Sequence, residues 1–269
     1  MANVSVLASA MVSDIDFSRA PHLLRGLRRA DAFVQLAVLA GHTALEQSGI
    51  MAHCQPADVG VYVGSTTGPL PTNFDFLDTL FDDGEGQASP TIFSHSVHNA
   101  AAGYVSRLLN LQGMSQTITL NGWPFVAALL EAKSALASGA LSHALVLGVE
   151  ESCSVIDEAA GRLAGGSERP PQRGAVAWLL TAGDEAGVVL GEIDLDEVYN
   201  KEAHLLQRDE EIFTATVALP LYPPGALGHC FSLTTALQSM AAGSGQGSWQ
   251  VEAPFGRARC AFGRGARQK

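Results

Sequence analysis

Four places in the sequence put chemically capable side chains at useful spacings. His95 and His98 stand three apart, with Asn99 beside them in Phe93-Ser94-His95-Ser96-Val97-His98-Asn99, so on a helix they would share a face and could share a ligand. No acid or cysteine accompanies them, so hydrogen bonding in a core or an interface is expected there, and no metal site. Gly64-Ser65-Thr66-Thr67-Gly68 could cradle an anion, yet it lacks the glycine spacing and the lysine of a phosphate loop and reads as a turn. His229-Cys230 sets a base next to a thiol. Neighbours on a helix point about 100° apart, so this adjacency argues against a nucleophile–base pair.

The fourth place is the junction Leu120-Asn121-Gly122-Trp123. A sharp strand-to-helix turn presents one side chain at a helix N-terminus, where backbone N–H groups and the helix dipole favour a thiolate or an oxyanion. Here the residue at the apex is glycine. No G-x-S-x-G elbow occurs in the chain.

The elements that must position these groups alternate between strand-like and helix-like. Val4 to Ala8, Val59 to Val63 and Thr117 to Leu120 read as strands, and His143 to Val149 as a central strand buried on both faces. Ala175 to Thr181 and Val188 to Leu195 follow, the second placed near a sheet edge by its alternating acids. Gln250 to Ala253 with Arg259 to Phe262 form a terminal pair. Helices are expected over Asp31 to Gln47, with Asp31 as cap and Gly49 as stop, and from Val97 to Asn110, Trp123 to Ser138 and Gly228 to Met240. Gly165 to Pro171 reads as a surface loop.

Composition bounds the classes. The chain has 269 residues, 47% apolar and 16% charged, with 27 acids against 16 bases and a net charge of -11. This excludes disorder and makes nucleic acid an unexpected partner, because so acidic a surface repels phosphate. Apolar runs stop well short of the roughly 20 residues a membrane span needs, and no basic region precedes an apolar run near Met1, so a cytoplasmic protein is expected. Cys54, Cys153, Cys230 and Cys260 are scattered and read as reduced thiols.

Six stretches in order resemble the β-ketoacyl synthases of the thiolase-like superfamily, in particular the short synthase-like proteins of aryl-polyene-type pathways. They are Leu27-Arg28-Arg29, Val59 to Ser65, Pro90 to Tyr104, Gly113 to Glu150, Gly228-His229 and Phe262-Gly263-Arg264-Gly265. The resemblance implies a layered αβαβα thiolase-like fold with a shortened C-terminal half, divided into residues 1–185 and 186–269 of one unit. It also implies a depleted catalytic set. Gly122 stands where the family's nucleophilic cysteine belongs, flanked by Asn121 and Trp123. His229 matches the second histidine, but Pro224 replaces the lysine before it; His204 lacks the first histidine's motif; Arg264 replaces an aromatic gate.

By that resemblance the chain is expected to be a catalytically silent chain-length-factor-like partner of a ketosynthase that retains cysteine and two histidines. It would take part in type II polyketide, aryl polyene or fatty-acid-like synthesis, with acyl carrier protein docking mainly on that partner and no cofactor or metal of its own. Trp123 and Phe125 would fill the dead pocket. Thr117 and Thr119 would lie on a strand paired across the two-fold axis, the helix carrying Val97, Ala101, Tyr104 and Leu108 would limit the partner's acyl tunnel, and His98 and Asn99 would belong to the same tunnel or interface. Two alternatives stay open: a malonyl-carrier decarboxylase using His229 and Asn121, and a non-catalytic homodimer.

Overall fold

Runs of β-branched residues make the sheet, and alanine-rich stretches make the helices that cover it. The computed structural model describes residues 3–82, 84–163, 173–183, 187–197, 210–213, 226–242, 246–253 and 256–264. Strands β1 (Val4–Val12), β2 (Val59–Ser65), β3 (Ser115–Thr119), β4 (His143–Glu151), β5 (Arg173–Ala182), β6 (Val188–Glu197), β7 (Glu210–Phe213), β8 (Gly247–Ala253) and β9 (Gly256–Arg264) form one nine-stranded sheet in the order β3-β2-β4-β5-β1-β6-β9-β8-β7. Helices α1 (Ala32–Ser48), α2 (Leu70–Asp82), α3 (Pro90–Ser96), α4 (Ala100–Leu108), α5 (Pro124–Ala137), α6 (Ser154–Leu163) and α7 (Ala226–Ala242) connect them. β2 runs parallel to β3 and β4, and the other pairings are antiparallel.

Alternate side chains of β2, β4 and β5 enter two different cores. Val59, Val61, Val63, Leu145, Leu147, Ala177 and Leu179 pack with α1 and α4, while Tyr62, Val146, Val176 and Trp178 pack with α5 and α7. The second core also takes Leu190, Trp249, Val251, Ala258 and Phe262 from the C-terminal strands. Helices α5 and α7 therefore lie between the two halves of the sheet, which meet through only the pairs Val4 to Leu190, Ser5 to Val189 and Val6 to Val188. The layering is the expected thiolase-like one. Its C-terminal half is shortened: among the described residues no helix covers the outer face of β6, β9 and β8, where Asp194, Asp196, Glu252, Arg257 and Arg259 are exposed.

That open face corrects one expectation. β6 lies between β1 and β9 rather than near an edge, and its acids alternate because only one of its faces is covered. The register sets Asp194 opposite Arg259 and Asp196 opposite Arg257, so the charges are paired across strands.

The helix expected from Val97 also differs. Val97 is extended (φ -85°, ψ 140°), so α3 ends before it and α4 begins after Asn99. Helices α2 and α6 were not foreseen, though Leu70, Phe74, Leu77 and Phe81 of α2 follow helical spacing. As expected, the Asp31 carboxylate caps α1 by accepting from the Val34 N–H at 2.9 Å, and Gly49 ends it with φ 65°. The expected loop at 165–171, and His204, Pro224 and Gly265, lie outside the described residues.

Candidate functional site

Two register-paired glycines set how closely the central helices approach the sheet. Gly64 of β2 faces Gly148 of β4. A Cβ on Gly64 would stand 2.3 Å from the Pro124 carbonyl oxygen and 2.7 Å from the Phe125 nitrogen, so the first turn of α5 rests directly on β2. A Cβ on Gly148 would meet the Cys230 Sγ at 2.8 Å and Phe125 at 3.1 Å. The pair thus brings the starts of α5 and α7 together over the C-terminal ends of the parallel strands. Open α/β sheets place their sites at that end.

What gathers there is mostly aromatic. Gly122 is buried in the turn before α5, Trp123 is its N-cap residue, and Asn121 points to the exterior as an exposed residue. The Trp123 and His229 rings lie 6.4 Å apart, and His229 and Trp249 6.3 Å apart, so the imidazole is held between two indoles. Phe125 meets Trp178 edge-on at 5.3 Å. Trp178 donates to the Thr234 hydroxyl at 2.9 Å, and Thr234 donates to the Cys230 carbonyl at 2.8 Å, which fixes α7 against β5. The cavity left among Trp123, Phe125, Val126, His229, Cys230 and Trp249 measures about 10 Å³, room for one water-sized sphere. No acyl chain fits there.

The sequence reading did not single out one acidic group beside this site. Glu150, at the end of β4, is buried; its carboxylate accepts from the Thr66 N–H at 2.6 Å and from the Ser65 hydroxyl at 3.4 Å. Burial pushes its pKa up to about 7 against those hydrogen bonds. Glu151 next to it is also raised to about 7, by burial and by Asp31. The turn Gly64 to Gly68 is therefore a mount for a buried carboxylate rather than an anion cradle. Its only sequence signal was the Gly148-Val149-Glu150 strand end. Cys230 is no nucleophile in this state, since burial and the nearby Glu150 hold its thiol well above the usual range.

The remaining predicted residues spread over the neighbouring edge. His95 is buried and shares a 2.7 Å hydrogen bond with the Tyr104 hydroxyl, while His98 is exposed and packs its ring on Gly68, where a Cβ would meet it at 2.6 Å. The break at Val97 thus sends the two imidazoles to different partners. Asn99 is exposed at the start of α4, Ala101 is fully buried against the α1 side, and Leu108 lies over Gly26. Thr117 is half-buried and Thr119 exposed on β3, the sheet's outermost strand at that side. Arg264 ends β9 opposite Val188. Among the described residues no group of three or more His, Cys, Asp or Glu could hold a metal ion, and no helix is long and apolar enough to cross a membrane.

Comparison with known proteins gives this arrangement its family. The model of the β-ketoacyl synthase N-terminal domain matches residues 8–219. The chain belongs to the β-ketoacyl synthase family. It is 33% identical over 96 residues to the 3-oxoacyl-[acyl-carrier-protein] synthase 2 of Coxiella burnetii, a match spanning 35% of this chain but only 23% of that synthase. Its fold is that of solved ketosynthases. A chain from the ishigamide ketosynthase/chain length factor matches with TM-score 0.68 at 16% identity, covering 97% of this chain and 98% of that one. A ketosynthase in complex with its chain length factor from Xenorhabdus doucetiae matches with TM-score 0.63 at 18% identity, over 98% and 100%. A type II polyketide synthase assembly of an acyl-carrier protein with its ketosynthase gives 0.76 at 15% identity, over 98% and 99%.

Proposed function

We propose that this chain is a catalytically silent, chain-length-factor-like partner of a β-ketoacyl synthase in type II polyketide, aryl polyene or fatty-acid-like synthesis. The single observation that carries this reading is the filled site. A glycine cannot accept an acyl group, and the 10 Å³ left around His229 admits neither a thioester nor its enolate. The same enclosure counts against the decarboxylase reading, which needs His229 within reach of a malonyl carbonyl.

The partner would keep the cysteine and two histidines and do the condensation, with this chain shaping the end of its acyl tunnel. Two features favour such a partner. β3 lies at the outer end of the sheet with Thr117 and Thr119 on it, and Met114, the residue just before it, is 52% exposed.

The test is reconstitution with a ketosynthase encoded beside this chain. Trp123→Phe and Trp123→Ala in the complex should shift product chain length while the ketosynthase cysteine still acylates at the parental rate. Trp123 is fully enclosed, so Trp123→Ala will cost about 3–5 kcal/mol of stability. Trp123→Phe provides the milder arm. An unchanged product distribution in a folded Trp123→Phe complex, or a chain that condenses malonyl units unaided, overturns the proposal.

A further inference from the structure

Two histidines far apart in sequence meet on the side of the molecule where α1 lies. His22 stands in the turns that follow β1 and His42 on α1, and their rings lie 5.5 Å apart with the planes inclined at 57°. Neither belongs to the glycine-lined site around Gly122 and His229.

Each ring sits on a rigid piece of backbone. Pro21 opens the short 3-10 turn that carries His22, and the turn is closed by the Leu23 N–H donating to the Ala20 carbonyl at 3.0 Å and the Leu24 N–H to the Pro21 carbonyl at 3.2 Å. Ala20 and Leu23 are buried and anchor it, which leaves His22 on the surface. His42 follows Gly41, where a Cβ would stand 3.2 Å from a methyl of Leu109 and 3.2 Å from one of Leu145, so α1 is seated closely on the sheet at this point. His42 is half-buried, and burial lowers its pKa, helped by His22 and opposed by the Glu46 carboxylate one turn further along α1. Its imidazole is therefore neutral at pH 7 and offers a lone pair.

The separation suits a shared ion. A transition metal bound about 2.0–2.1 Å from a ring nitrogen lies roughly 3.2 Å from the ring centroid. Two centroids 5.5 Å apart then subtend about 120° at the ion, near the tetrahedral angle that zinc adopts.

We propose that His22 and His42 form a two-imidazole site for Zn²⁺, with water completing the coordination and exposed Glu46 offsetting its charge from the next turn of α1. A pair of imidazole nitrogens suits zinc, copper or nickel and discriminates against magnesium and calcium, which take oxygen ligands. Two protein ligands make a weaker site than a three- or four-residue centre, in keeping with the absence of any such larger group among the described residues. A bound ion would tie the turns after β1 to α1 across twenty positions of sequence.

The test is calorimetric titration of the full chain with ZnCl₂ at pH 7.5 in a non-coordinating buffer. His22→Asn and His42→Asn should each raise Kd at least about tenfold, and the double variant should lose little more than either, because one ring alone cannot chelate. His53→Asn, at an exposed histidine outside the pair, should leave Kd unchanged. Excess Mg²⁺ should not displace the zinc. His22 is exposed, so His22→Asn alone decides the outcome if His42→Asn fails to fold. Parental affinity in His22→Asn or in the double variant overturns the site, as does a parent chain that binds no zinc, displacement by Mg²⁺, or losses in the two single variants that simply add.

Discussion

Glu150 ties the stability of the fold to pH. Its carboxyl titrates near 4.5 when unfolded and near 7 when folded, so the native state favours the neutral form. As pH rises from about 4.5 to 7 the unfolded chain ionises freely while the folded one resists, and stability falls across that window. Glu151 acts in the same direction, less strongly because it is partly exposed. Glu150→Gln, which can still accept from the Thr66 N–H, should flatten the fall of the urea midpoint between pH 5 and pH 8; a variant as pH-sensitive as the parent would contradict the assignment. At this scale much was legible beforehand. That a glycine stands in the strand-to-helix turn before α5 and a histidine in the first turn of α7 follows from the sequence pattern alone. That Trp249 closes the other side of His229 was not legible, because the contact joins residues twenty apart on α7 and β8.

Among the elements, spacing predicted the strands of both cores and the caps of α1, because each is decided by local patterning. It failed where long-range coverage decides. The alternating acids of β6 look like those of an edge strand, and only the sheet order reveals an interior strand with one open face. The α3–α4 break fails similarly, since Val97 and His98 suit a helix locally while the seat of His98 on Gly68 requires a turn. The contact of α5 with β2 supplies a prediction of its own. Gly64→Ala drives a methyl into the Pro124 carbonyl, and because the obstacle is backbone the helix must move. We expect a loss of about 2–3 kcal/mol in denaturant unfolding. Gly103→Ala, with nothing within 4 Å of its Cβ, is the control and should be neutral or slightly stabilising.

For the whole molecule, α5 from the first half and α7 from the second share one core between the sheet's two halves. We propose that residues 1–185 and 186–269 unfold as a single cooperative unit. Indole fluorescence, which reports Trp123, Trp178 and Trp249 in that core, should therefore change at the same denaturant concentration as far-UV circular dichroism, and two separated transitions would refute it. The strand order has a further consequence, for the birth of the protein. β1 comes before the other described strands in the sequence, yet among the described residues it pairs only with β5 and β6, and the Ser5 hydroxyl finds its acceptor at Gly183, 178 positions later. At about 5–20 residues per second the ribosome leaves this apolar strand without its neighbours for on the order of ten seconds or more. β1 must stay out of trouble until β5 and β6 have been made.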